Sequence, residues 1–180
     1  MKKIFQGTLF LSTLLLGTQL HASEPNAVPE KNWSIGIGSY AFILANDNNS
    51  NDDEFSGFNI AAAYAVNNHF QIRATYFSLE SDDYYAVESE GFDLMAYGGV
   101  GFSKKGFRGY GGAGFFSDER SDQSESISGF QLGGGLGYNW GPAALDFVLT
   151  LRKADEYEDY IYESGNYIAM SGNLTISYLF

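Results

Sequence analysis

The sequence predicts an all-β protein: an eight-stranded antiparallel up-and-down transmembrane β-barrel. Three observations lead there. From residue 33 onward, strand-like runs alternate with polar gaps, and the gaps themselves alternate short and long. The last run separates an apolar face from a small polar one and ends on an aromatic carboxy-terminus, Phe180. The chain opens like a secreted protein, yet no segment approaches the ~20 apolar residues of a membrane-spanning helix.

Residues 1–22 read as a signal peptide. Met1-Lys2-Lys3 is the positive start, Ile4 to Leu16 the short apolar stretch, and Leu20-His21-Ala22 the cleavage site. Residues 23–32 carry Pro25 and Pro29 without periodicity and read as a periplasmic lead-in. Residues 33–180 form the barrel.

The first strand runs from about Trp33 to Leu44, followed by an Asn/Asp-rich gap from Ala45 to Glu54. In the second strand Phe58, Ile60, Ala62, Tyr64 and Val66 share one face, and Asn59, Ala61, Ala63 and Ala65 the other. Asn67-Asn68 makes a tight turn, since Asn tolerates the positive φ that such turns need. The third strand sets Phe70, Ile72, Ala74 and Tyr76 against Gln71, Arg73 and Thr75. An acidic gap spans residues 80–90. The fourth strand sets Phe92, Leu94, Ala96 and Val100 against Asp93, Met95 and Tyr97, and turns at Ser103 to Gly106.

The fifth strand, Phe107 to Phe116, is so rich in glycine that its inside and outside faces are not assigned. A third acidic gap covers Ser117 to Glu125. The sixth strand alternates Phe130, Leu132, Leu136, Tyr138 and Trp140 with Gln131, Gly133, Gly135, Gly137 and Asn139, and Gly141-Pro142 turns the chain. The seventh sets Leu145, Phe147, Leu149 and Leu151 against Ala144, Asp146, Thr150 and Arg152. After a fourth acidic gap, Lys153 to Gly165, the eighth strand carries Ile168, Met170, Leu174, Ile176, Tyr178 and Phe180 on one face.

Alternation alone does not say which face is inside, and a soluble lipocalin keeps its apolar face inward. Aromatic residues at the strand ends decide it. Trp33, Tyr64, Phe70, Phe102, Phe107, Tyr138, Trp140, Tyr178 and Phe180 gather at the short-turn end. Phe42, Phe58, Tyr76, Phe92, Phe115, Phe130 and Tyr167 gather toward the long gaps. Two such belts around an aliphatic band fit two membrane interfaces, so the apolar face is expected to meet lipid. An open sheet in lipid would leave backbone groups unsatisfied, so strand eight must pair with strand one.

Composition narrows the function. The formal charge is −12, two units more negative without a leader that carries Lys2 and Lys3, which excludes a phosphate-binding nucleic-acid surface. Cysteine is absent, which excludes a lipoprotein anchor, a thiolate metal site and a disulfide scaffold. With 13 Tyr and 15 Phe, the acidity sits on a folded body rather than a disordered chain.

Residues 33–180 resemble the small eight-stranded outer-membrane proteins of the OmpA/OmpX type. The resemblance implies that Ile176, Tyr178 and Phe180 form the assembly signal read by the barrel-assembly machinery. It also implies an outer membrane of a Gram-negative bacterium, with short turns in the periplasm and long loops outside.

The polar face carries four charges. Arg73 and Asp146 lie on strands three and seven near the short turns, opposite each other across an eight-stranded lumen. Asp93 and Arg152 lie nearer the other end. Two tiers of interior charge pairs are expected, because opposite charges in a low-dielectric lumen must pair or be solvated.

Catalysis finds no set of residues. The one histidine after residue 22 is His69, beside a short turn, so no enzyme is expected and no cofactor. The glycines Gly109 to Gly114 match a dinucleotide fingerprint but lack the βαβ unit it requires; they, Gly98-Gly99 and Gly133 to Gly135 read instead as bends and room in a narrow barrel.

The four long gaps hold 18 of the 22 acids, with Arg120 and Lys153 as their cations. Asp52, Asp53, Asp82, Asp83, Asp155 and Glu156 are the candidates for weak divalent-cation binding through oxygen ligands. Tyr84, Tyr85, Tyr157, Tyr160 and Tyr162 interleave with these acids and suit contact with a partner surface. The expectation is a monomeric envelope protein, structural or surface-interacting, that contacts outer-membrane lipid, lipopolysaccharide and divalent cations. A narrow low-conductance pore is the alternative, and a lipid-modifying enzyme the third reading.

Overall fold

A computed structural model describes residues 31–46, 53–81, 87–121, 126–153 and 167–180. Its eight strands are β1 (Trp33–Asn46), β2 (Asp53–Asn67), β3 (Phe70–Ser81), β4 (Glu88–Val100), β5 (Gly106–Arg120), β6 (Ile127–Asn139), β7 (Ala143–Arg152) and β8 (Tyr167–Leu179). Each pairs antiparallel with its sequence neighbours, and β8 pairs with β1, closing the barrel. The seam is complete to its last residue. The Trp33 amide donates to the Phe180 carbonyl at 3.1 Å, and the Phe180 amide donates to the Trp33 carbonyl at 2.9 Å. Closure leaves no unpaired edge for lipid to meet.

Short turns have local causes. The Asn67 side-chain oxygen accepts from the backbone amides of His69 (2.7 Å) and Phe70 (2.9 Å), pinning the β2–β3 turn. Gly101 and Gly106 flank the β4–β5 turn with φ of 89° and 126°, values an L side chain rarely adopts.

Apolar residues of the alternating faces point outward. Leu145, Phe147 and Leu149 are 36%, 47% and 46% exposed, at the level where lipid tails would cover them. Trp33, Phe70, Phe107, Tyr138, Trp140, Tyr178 and Phe180 form the turn-end belt, and Phe58, Tyr76, Phe92, Phe115 and Phe130 the loop-end belt. The pattern is that of a membrane-spanning barrel. No helix among the described residues is long and apolar enough to cross a membrane.

Two expected belt members are not there. Phe42 and Phe102 are fully buried in the lumen. Phe42 shares the parity of Tyr40 and Leu44, both inward, and Phe102 lies in a turn, where alternation no longer applies. The side-chain burial of Tyr167 lies outside the described residues.

Strands run further at the loop end than composition suggests. Asp53, Glu54, Glu80, Glu88, Glu90, Asp118 and Glu119, read as gap residues, belong to the ladders. Strands of up to 15 residues exceed the ~9–11 that span a bilayer, so their ends stand in water, where acids are tolerated. Acidic composition marks the end of the lipid, not the end of the hydrogen bonding.

Candidate functional site

Among the described residues, buried polar and charged side chains gather in the lumen, and three layers fill it. The outermost is apolar. Tyr40, Phe42, Leu44, Phe55, Phe77, Leu79, Phe116, Ile127 and Ala169 form one buried cluster inside the loop end of the barrel. Apolar side chains also pack lower in the lumen, where Ala65, Met95, Tyr97, Phe102, Tyr110 and Val148 form a second buried cluster. Where the strands leave the bilayer the barrel needs a core like any water-soluble sheet, and inward aromatics supply it.

Beneath this plug lies a polar network. Arg152 Nη2 donates to Asp93 Oδ1 at 3.1 Å and to the Tyr40 hydroxyl at 2.8 Å. Arg152 Nη1 lies 3.6 Å from Asp118 Oδ2. The Tyr40 hydroxyl donates to Asp93 Oδ2 at 2.7 Å, and Gln131 Nε2 donates to Asp93 Oδ1 at 2.9 Å. Thr150 and Ser171 share a hydrogen bond beside them, and Ser89 donates to Asp118. The Arg152 guanidinium lies 4.9, 5.1 and 4.7 Å from the rings of Phe42, Phe77 and Phe116, so one cation joins the network to the plug.

Toward the turn end, a second tier forms with a different partner from the expected one. Asp146 pairs with Arg108, not Arg73: Arg108 Nη1 donates to Asp146 Oδ2 at 2.9 Å. Tyr110 donates to the other carboxylate oxygen at 3.0 Å. Arg108 also donates from Nε to the Gly101 carbonyl (3.1 Å) and from Nη2 to the Phe102 carbonyl (3.0 Å), which seats the turn and the buried Phe102 ring under the lumen. Arg73 points inward but makes no ion pair among the described residues. It lines a narrow crevice with Ser34, Ala63, Gln71, Asp146 and Ser177.

Arg108 and Tyr110 were missed because β5 had no readable phase, and Asp118 because its acidic surroundings read as a gap. A signal existed: Phe107 and Phe115, placed in opposite belts, have the same parity, which turns the even-numbered residues of β5 inward. The glycines of β6 make this tier possible. A Cβ on Gly135 would lie 2.5 to 2.7 Å from the Tyr110 ring and hydroxyl. Gly98 differs: it faces outward with nothing within 4 Å of a Cβ, so room inside the barrel does not explain it.

Asp52, Asp82, Asp83, Asp155 and Glu156, with the loop tyrosines Tyr84, Tyr85, Tyr157, Tyr160 and Tyr162, lie outside the described residues. Asp53 opens β2 with its carboxylate 3.8 Å from Arg120. Among the described residues, no group of three or more His, Cys, Asp or Glu could hold a metal ion. Glu54, Glu80, Glu88, Glu90 and Glu119 face outward beyond the loop-end belt. Register sets Glu80 opposite Glu88 and Glu90 opposite Glu119. His69 sits at the turn-end rim, its Nδ1 3.0 Å from the Gly99 carbonyl. Ile176, Tyr178 and Phe180 face outward beside the seam.

A family model described as an outer membrane protein β-barrel domain matches residues 10–180. Among solved structures, Ail, the attachment invasion locus protein of Yersinia pestis, is similar with a TM-score of 0.57 at 20% identity, over 84% of this chain and 100% of that one. Neisserial surface protein A is similar at 0.55 and 15% identity, over 82% and 97%. The N-terminal β-barrel domain of Pseudomonas aeruginosa OprF gives 0.51 and 15%, over 84% and 100%. At these identities the likeness is one of fold. No curated protein matches the chain.

Proposed function

We propose that the protein, which belongs to the outer membrane protein β-barrel family, is a monomeric, non-conducting barrel that acts through its outward surface. The observation that carries this is the filled lumen: an apolar plug, a buried Arg152–Asp93–Asp118 network and an Arg108–Asp146 tier lie between its two ends. Small barrels fill their interiors with side chains, and here the filling includes charges that are already paired. Solute passage has no aqueous path to use.

The loop-end glutamates suggest what the surface meets. Long loops face outward in such barrels, which puts this rim at the level of the outer-leaflet headgroups. Like charges directly opposite on neighbouring strands destabilise a sheet, and two such pairs stand here. Lipopolysaccharide phosphates present the same problem from the other side. Divalent cations between carboxylate and phosphate relieve both. Catalysis finds no support, since His69 lies at the opposite end and, among the described residues, its ring hydrogen-bonds to the Gly99 carbonyl and to no nucleophile.

The test is thermal unfolding of the refolded protein in lipopolysaccharide-containing bilayers, with magnesium or with chelator. Magnesium is expected to raise the midpoint of the native protein and to change little in Glu80→Gln/Glu88→Gln/Glu90→Gln/Glu119→Gln. Equal magnesium responses in both proteins contradict the surface reading.

A further inference from the structure

Charge is segregated along the barrel axis. Every Asp and Glu among the described residues either points into the lumen or stands at the loop end. The turn-end rim carries Lys31, Lys104 and Lys105 and, among the described residues, no acidic side chain. The terminal carboxylate of Phe180 stands on the same rim, its oxygen accepting from the Trp33 amide at 3.1 Å. Three ammonium groups less one carboxylate still leave an excess of two positive charges.

Two of these cations meet at one turn. Lys31 reaches from the start of β1 to β8, where its Nζ donates to the Leu179 carbonyl at 2.9 Å and lies 5.4 Å from the centre of the Tyr178 ring. The Leu179 amide donates to the Pro142 carbonyl at 3.0 Å, which puts that ammonium beside the β6–β7 turn. Lys105 comes from the β4–β5 turn and lies over Gly141 of the same β6–β7 turn. A Cβ on Gly141 would lie 2.4 Å from Lys105 Cε and 3.3 Å from its Nζ. Gly141, at a φ of 103°, therefore leaves Lys105 its path. Lys104 and Lys105 form no ion pair among the described residues. Trp140, in the same turn and half-exposed, adds an indole N–H that can donate.

We propose that the β6–β7 turn, with Lys31, Lys105 and Trp140, is a docking surface for an anionic phospholipid of the turn-side leaflet, of the phosphatidylglycerol class. The belt of Trp33, Tyr138, Trp140, Tyr178 and Phe180 sets the height of the headgroups, so the ammonium groups stand level with lipid phosphates. Charge complementarity sets the class. Choline and ethanolamine headgroups bring their own cation, whereas a glycerol headgroup leaves the phosphodiester charge for the lysines to answer. The acyl chains of that lipid lie against the outward Leu136, Leu145 and Phe147, next below the turn on β6 and β7. This rim is the opposite one to the rim on which the proposed function rests, and the two stand or fall separately.

Trp33→Phe leaves Trp140 as the one tryptophan and is the reporter protein. It is refolded into phosphatidylcholine vesicles holding a fixed minor fraction of phosphatidylglycerol, with bromine on the acyl chains of one lipid or the other, and quenching of Trp140 is read. Both leaflets carry the lipid, so the direction of insertion does not matter. Phosphatidylglycerol is expected to associate about tenfold more tightly than phosphatidylcholine, and the preference to vanish in molar salt. Lys31→Gln/Lys105→Gln in the reporter is expected to reduce it to about twofold or less. Lys104→Gln/Lys105→Gln, both exposed, is expected to lower it about threefold and serves if the first variant does not fold. Millimolar inorganic phosphate is expected to leave the preference unchanged; its loss there would mean that the turn reads free phosphate and would overturn lipid docking. Equal quenching by the two lipids in the reporter, or a preference unchanged in whichever lysine variant folds, also overturns the proposal.

Discussion

Arg152→Met is expected to lower the stability of the folded barrel by about 3–5 kcal/mol, the cost of leaving buried charges without their partner. The Arg152 side chain is wholly buried, and it neutralises two carboxylates, Asp93 at 3.1 Å and Asp118 at 3.6 Å. Methionine fills much of the same volume against Phe42, Phe77 and Phe116 but leaves those two buried carboxylates without their cation. Urea unfolding in lipid vesicles, followed by the fluorescence of Trp33 and Trp140, measures the loss. Arg152→Met/Asp93→Asn/Asp118→Asn is expected to recover most of it, because replacing an entire buried network is far cheaper than halving one. A triple variant as unstable as the single one would mean that the cation's packing on the three rings, not its charge, holds the site together.

Leu149→Arg is expected to cost about 2–4 kcal/mol in the same assay, the penalty for a cation on the lipid face near the bilayer midplane. Leu149 lies inside β7, opposite Gly134 on one neighbour and Gly172 on the other, with half its surface turned outward. Ser128→Arg, also outward but beyond the loop-end belt, is expected to cost about 0–1 kcal/mol because water is within reach there. The difference between the two variants reads depth in the membrane. Equal costs would mean that the outward face at Leu149 does not meet lipid.

Strand count, strand order and the phase of six strands were legible in the sequence, because a half-buried strand writes its two environments into alternate residues. Leu145, Phe147 and Leu149 against Asp146 and Thr150 are the plainest case. Glycine erased that record in β5, and with it Arg108, while Asp118 was hidden in what read as an acidic gap; these two residues complete both charge tiers. So Arg73 and Asp146 looked like partners from position alone, whereas the shorter connection across the lumen is Arg108 to Asp146. Alternation also cannot distinguish an inward aromatic from an outward one when the strand passes out of the bilayer. Phe42 was assigned to the membrane belt on type and height, but its parity with Tyr40 places it in the plug. The acidic rim was visible as composition, but whether Glu80 and Glu88 are loop residues or a ladder pair depends on backbone hydrogen bonding that composition does not encode.

The proposed function requires a sealed interior, and ion conductance tests it most directly. Purified folded protein inserted into planar bilayers in molar potassium chloride is expected to give no current steps above those of the protein-free membrane. Stable, repeated conductance steps from correctly folded, heat-modifiable barrels would contradict it and make the protein a pore.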